Sequence, residues 1–265
     1  MSEQTEEVVR DHDDYELNHT DKLVGIFTEP VKTFSSIANF PLKGKDWVVP
    51  LLILIVVTII SSVLMMSNPI IKNDVIQKQQ AEIQKMVDEG NITQQQADAQ
   101  KNATSAFMEG PIFVAVQAVS ITIGMFIVFF VVTGVFYLFV KFAMNGEGSF
   151  KGVMVAYGLP MYIAMIQVIV VVILALTMDK LVSGINPAVF LGMETKELGG
   201  FFLSKIDPLS IWFYSVFGIG LAKLFKSDDT KKYILMVLAV WLGSNIILFF
   251  IAQSMPMLGR FIGMG

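Results

Sequence analysis

The polar residues that interrupt the apolar runs of this chain are almost all uncharged: Thr58, Gln117, Thr122, Thr133, Tyr157, Gln167, Ser215, Ser244 and Asn245. In hydrocarbon such groups hydrogen-bond between helices, each bond contributing roughly 0.6 kcal/mol on average. That is packing chemistry. A second use is open to Gln117, Gln167 and Asn245: converging on a wet cavity, they would line a neutral polar path. Acid–base and metal chemistry find little to work with. A charged group is costly inside a bilayer, so an ionisable residue within a span flags function, and the spans read here hold essentially none. Lys141, Asp207 and Lys223 fall at span ends, where they can snorkel or cap. His12 and His19 lie in an acidic N-terminal tail, too few for a metal site. No His-Glu-x-x-His, Gly-x-Ser-x-Gly, phosphate loop or carboxylate pair at helical spacing occurs within a span. With no cysteine in the chain, disulfides, thiol catalysis and Cys-ligated metal are excluded. The reading is of a non-enzyme with no cofactor and no identified small-molecule substrate.

The elements that position these residues follow from composition. Of 265 residues, 54% are hydrophobic and only 16% charged, with mean hydropathy +0.63; a soluble domain carries about 25% charged residues. Apolar runs of about 20 residues recur, so the fold class is all-α, a polytopic bundle of about five transmembrane helices in contact with a lipid bilayer. The net charge of −4 is unevenly spread: the first 22 residues hold eight carboxylates against Arg10 and Lys22, a sum of −6, which leaves +2 for the rest. No basic stripe suits a nucleic acid. The start of the chain does not read as a signal peptide.

Residues 1–23 are expected to be an acidic disordered tail. Residues 24–45 carry Phe27, Val31, Phe34 and Ile37 at helical spacing, an amphipathic segment suited to the membrane interface or to packing on the bundle. The membrane domain covers 46–254, with spans at about 47–66, 112–141, 153–176, 208–225 and 233–251, and 255–265 form a C-terminal tail. Between the first two spans, residues 71–108 read as a helical hairpin outside the bilayer. Gly90 and Asn91 end its first helix, and Thr93-Gln94-Gln95-Gln96 opens the second as a capping box. Gly158 and Pro160 should kink the third span near its start. Asn186-Pro187-Ala188 spells the aquaporin triplet, but aquaporins need two such half-helices and six spans. Before the fourth span, Asp207 is a cap and Pro208 suits the first helical turn. Trp212, Phe213 and Tyr214 cluster as interfacial aromatics do. Gly218, Gly220 and Ala222 are small residues where another helix could approach, and Ser120/Gly124 and Ala239/Gly243 are small-xxx-small pairs. Lysines concentrate before the first span (Lys43, Lys45) and around the turns at 141–151 and 223–232. The outer segment 178–206 holds only Lys180, Lys196 and Lys205, which favours a cytoplasmic N-terminus and an outside C-terminus.

Three stretches carry a resemblance: Phe27-Thr28-Glu29-Pro30 with Thr33, Phe34 and Ile37; Ser149-Phe150-Lys151-Gly152-Val153 leading to Ala156-Tyr157-Gly158; and Asp207-Pro208-Leu209-Ser210-Ile211-Trp212 followed by Gly218-Ile219-Gly220-Leu221-Ala222. Their order and spacing resemble the Yip family of integral membrane proteins, named for Ypt/Rab-interacting proteins, over roughly residues 24–250. The Asp-Leu-Tyr-Gly-Pro signature of the eukaryotic branch is not evident, so the likeness is to a prokaryotic relative. The resemblance implies a membrane-organising or partner-binding subunit in a bacterial inner membrane, with another membrane protein or a second copy as partner, such as one accessory to an export or trafficking system. The competing expectation is a small transporter or channel. Asp207, Trp212, Gln117, Gln167 and Asn245 are the candidate partner or packing positions.

Overall fold

In the computed structural model, residues 16–110 and 112–255 are described, and all regular structure among them is helical. The order is α1 (His19–Thr28), α2 (Pro30–Ala38), α3 (Lys45–Ser67), α4 (Pro69–Asp88), α5 (Gln94–Glu109), α6 (Ile112–Leu138), α7 (Phe150–Gly158), α8 (Met161–Met178), α9 (Pro187–Leu191), α10 (Leu198–Ser204), α11 (Pro208–Leu224) and α12 (Thr230–Ser254). A π-helical turn, Phe139–Ala143, extends α6.

Four of these units are long and apolar enough to cross a membrane: α3, α6 with its π turn, α7 with α8, and α12. The expected fourth span, 208–225, is α11. Its 17 residues reach about 25 Å at 1.5 Å per residue, short of the roughly 30 Å hydrocarbon core. The expected break in the third span is present: α7 ends at Gly158 and Pro160 caps α8. The hairpin expected at 71–108 is α4 and α5; Gly90 turns with φ of 72°, and Thr93 and Gln96 complete the capping box.

The core sits where α7 packs on α3, α6 and α11, with α2 set against α11. The three stretches behind the family resemblance meet there. A Cβ on Gly220 would stand 2.8 Å from Phe34 Cζ and 3.1 Å from Ala156 Cβ, so only glycine lets α2 and α7 close on α11 together. Phe27 sets its ring edge-on to Trp212 at 5.5 Å. Ser149 caps α7 through the Gly152 N–H at 3.1 Å. Around them Tyr157 gathers Phe129, Phe213 and Phe217 at 5.1–5.6 Å, and Phe136 meets Phe217 at 4.8 Å. Such aromatic pairs contribute about 0.5–1.5 kcal/mol each beyond area burial. Elements α1 and α2 therefore belong to the packed bundle, with Ile26, Phe34 and Ile37 buried.

The N-terminal boundary differs from expectation. Residues 1–15 and 256–265 lie outside the described residues, and with them His12 and Arg260, but residues 19–23 are helical and not a tail. Asn18 and Asp21 form a capping box at the start of α1. Lys22, buried, holds Asp46 Oδ2 at 2.7 Å, and Asp46 is itself 1% exposed. His19 shares a short 2.6 Å hydrogen bond with the Tyr162 hydroxyl, and loss of water holds its pKa below the usual imidazole value despite the nearby Asp46 carboxylate. A buried ion pair broken on one side leaves a bare charge in a poor solvent. Lys22→Met and Asp46→Asn are each expected to lower stability by about 3 kcal/mol, while the joint change Lys22→Met/Asp46→Leu restores most of it. Thermal unfolding in detergent micelles measures this, and single variants that melt with the parent would refute the anchor.

Candidate functional site

The short helix α11 leaves space at one end of the bundle. Gln167, in the middle of α8, donates to Ser210 Oγ in the first turn of α11 at 2.9 Å. Beyond that level α8 continues for 11 residues to Met178 and α12 runs nine residues past Asn245 to Ser254. At 1.5 Å per residue the neighbours overshoot the start of α11 by about 13–16 Å. The segment 179–207, with α9 and α10, folds back into this gap and exposes Phe190, Leu191, Leu198 and Phe202 along it. What remains open is a cavity of about 630 Å³ lined by Gln167, Ser204, Lys205, Asp207, Ser210, Tyr214, Trp241 and Phe249, with Glu82 and Lys85 of α4 also contributing to its lining.

Asp207 fixes its floor. The carboxylate is 3% exposed, yet no cation pairs with it among the described residues. Oδ1 accepts the N–H groups of Leu209 and Ser210 at 3.0 and 3.1 Å, and Oδ2 accepts that of Ile185 at 2.8 Å. The helix start also favours the negative charge. One side chain thus begins α11 and ties the returning loop to it.

Lys205, at the end of α10, is the cavity's exceptional group. Its ammonium donates to Asn245 Oδ1 at 2.9 Å and stands 4.8 Å from the centre of the Phe201 ring. The carboxylates nearby are otherwise engaged: Asp207 by backbone, Glu82 facing Lys196 at 3.7 Å. Asn245 Nδ2 donates to the Trp241 carbonyl at 2.8 Å, and Trp241 stacks on Tyr214 at 4.6 Å.

Of the five positions read from the sequence, Gln167, Asn245 and Asp207 come together at this cavity. Gln117 stands apart on α6, and Trp212 is turned toward α1 against Phe27. Phe213 lies in the core rather than at an interface. In the sequence Lys205 and Lys22 count only as charges and Asp46 carries no signal; the partners of Lys205 and Lys22 lie 40 and 24 residues away along the chain, and nothing local marks them. No group of three or more His, Asp or Glu able to hold a metal occurs among the described residues. The arrangement sets neutral donors, the ammonium groups of Lys85, Lys196 and Lys205 and the carboxylates of Glu82 and Asp207 around a polar hollow walled in part by aromatic rings.

The family model described as the Yip1 domain matches residues 24–252. No curated protein and no solved structure matches the chain significantly. Asp207→Ala removes a cap and leaves buried N–H groups bare, and is expected to cost about 2–4 kcal/mol. Asp207→Asn keeps one accepting oxygen and should cost less. Thermal unfolding in micelles orders the three proteins; Asp207→Ala melting with the parent would show that the carboxylate holds nothing.

Proposed function

Because the chain belongs to the Yip1 domain family, we propose that it is a non-enzymatic subunit of the bacterial cytoplasmic (inner) membrane that organises the membrane or binds a partner within it. The observation that carries this reading is the lean packing of α12. That helix lies mainly against α11 and turns the rest of its surface outward, with Leu235, Ile247 and Phe250 exposed. A Cβ at Gly243 would meet no atom within 4 Å, and the same holds at Gly124 on α6. Small residues suit close approach of a helix, and among the described residues no helix uses those two. The partner is another membrane protein, such as a component of an export or trafficking system, or a second copy of this chain.

The proposed topology has five crossings, the fourth being α11 completed by the returning 179–207 segment. The N-terminus is cytoplasmic and the C-terminus outside, which puts the α4–α5 hairpin and the mouth of the cavity on the outer side. The lysines at the ends of α3, α6, α7, α11 and α12 support that orientation.

Transport is the second reading, and the cavity supports it. A path would have to continue past Gln167, where Tyr157, Phe213, Phe217 and Phe136 fill the bundle with buried rings. Gln117 adds nothing to the hollow. Partner binding is therefore preferred.

Gly243→Leu and Gly124→Leu add bulk only on open faces, so both variants should fold and melt like the parent. At least one should lose its membrane partner or its dimer in crosslinking from intact membranes. By contrast, Gly218→Leu drives a side chain into the backbone of Ile234, whose Cα lies 2.6 Å from the added Cβ, and should fail to accumulate. If neither open-face variant changes any crosslink, the partner reading falls.

A further inference from the structure

We propose that the cavity above α11 binds the phosphate of an anionic phospholipid, with Lys205 as the anion-binding residue. The charge count comes first. Three lysines, Lys85, Lys196 and Lys205, line the cavity against two carboxylates, Glu82 and Asp207; Asp207 has both oxygens engaged by backbone N–H groups, and Lys196 stands 3.7 Å from Glu82. Lys205 contacts only a neutral amide oxygen and an aromatic face among the described residues. An ammonium has three donors and strong hydration, so a half-buried one with no carboxylate in ion-pair contact among the described residues favours an anion beside it.

The donors around it agree. Ser210 Oγ accepts from Gln167, which leaves its hydroxyl hydrogen directed elsewhere. Tyr214 also lines the hollow. Together with the ammonium they present donors to one ligand, while the buried carboxylate is already satisfied. At about 630 Å³ the cavity lies in the range of small-molecule sites and takes a phosphodiester headgroup.

The walls point to an amphiphile rather than a free ion. Trp241, Phe249 and Ala252 form one side of the cavity on α12. The outer face of that same helix turn exposes Leu248 and Phe250, and α10 exposes Phe202 beside it. A headgroup held at Lys205 can therefore keep its acyl chains on the apolar surface of α12. The chemistry shared with a free phosphate ion is the anion at Lys205; the apolar rim distinguishes the lipid.

The experiment adds phosphatidylglycerol, phosphatidylcholine or inorganic phosphate to the full-length protein in detergent. Binding is read by native mass spectrometry and by melting temperature. The parent should retain phosphatidylglycerol in preference to phosphatidylcholine and gain melting temperature from it alone. Lys205→Gln should weaken phosphatidylglycerol binding at least tenfold, and Lys205→Arg should keep it. Asn245→Asp provides an independent variant: it sets a carboxylate against the ammonium without removing it, and should abolish the preference while raising the lipid-free melting temperature. Equal retention of the two lipids, an unchanged Asn245→Asp, or stabilisation by inorganic phosphate as strong as that by phosphatidylglycerol would each overturn the proposal.

Discussion

Three backbone N–H groups converge on the Asp207 carboxylate, and the shape of the molecule's functional end follows from that. A buried carboxylate without a cation is tolerable only when its oxygens are fully hydrogen-bonded. Leu209, Ser210 and Ile185 supply those bonds. The cost of separating them keeps α11 starting at the level of Gln167 and keeps the 179–207 segment folded in above it. Were α11 a full-length span, the hollow would be filled by its own first turns, and Lys205 would sit in water at the surface. A short helix begun by a satisfied acid thus produces a polar site among apolar helices.

The rest of the bundle is held by shape. Gly220 admits Phe34 and Ala156 to one point, and the rings of Tyr157, Phe213, Phe217 and Phe136 lock the crossing below the cavity. The three stretches that mark the family are thus mostly the residues that close this crossing, which explains how a family likeness can be legible while saying little about a ligand. The second polar anchor, Lys22 with Asp46, ties α1 to the start of α3.

Much of this was readable from local chemistry. Asp207-Pro208 announces a helix start, Thr93 to Gln96 a capping box, and Gly158 with Pro160 a break, because each is decided by neighbours within a turn. The depth of α11 was not readable: Leu209–Phe225 is an apolar run like any other span, and only its hydrogen bond to Gln167 on another helix shows at what level of the bundle it begins. The same holds for residues 19–22. Their composition is that of a solvated acidic tail, and what folds them is a carboxylate 24 positions on. Lys205 reads as a loop lysine until Asn245 is brought to it. Long-range pairs of this kind leave no periodicity in the chain.

The central claim, that a hydrated polar cavity lies among the apolar helices at the start of α11, is tested most directly by thiol labelling. The chain has no cysteine, so a single one reports alone. Ser210→Cys lines the cavity, while Ile247→Cys sits near the same level on the exposed outer face of α12. Thiolate forms only in water, so a charged, membrane-impermeant maleimide added to sealed cells should label Ser210→Cys and leave Ile247→Cys untouched. Equal inertness of the two positions would contradict the account.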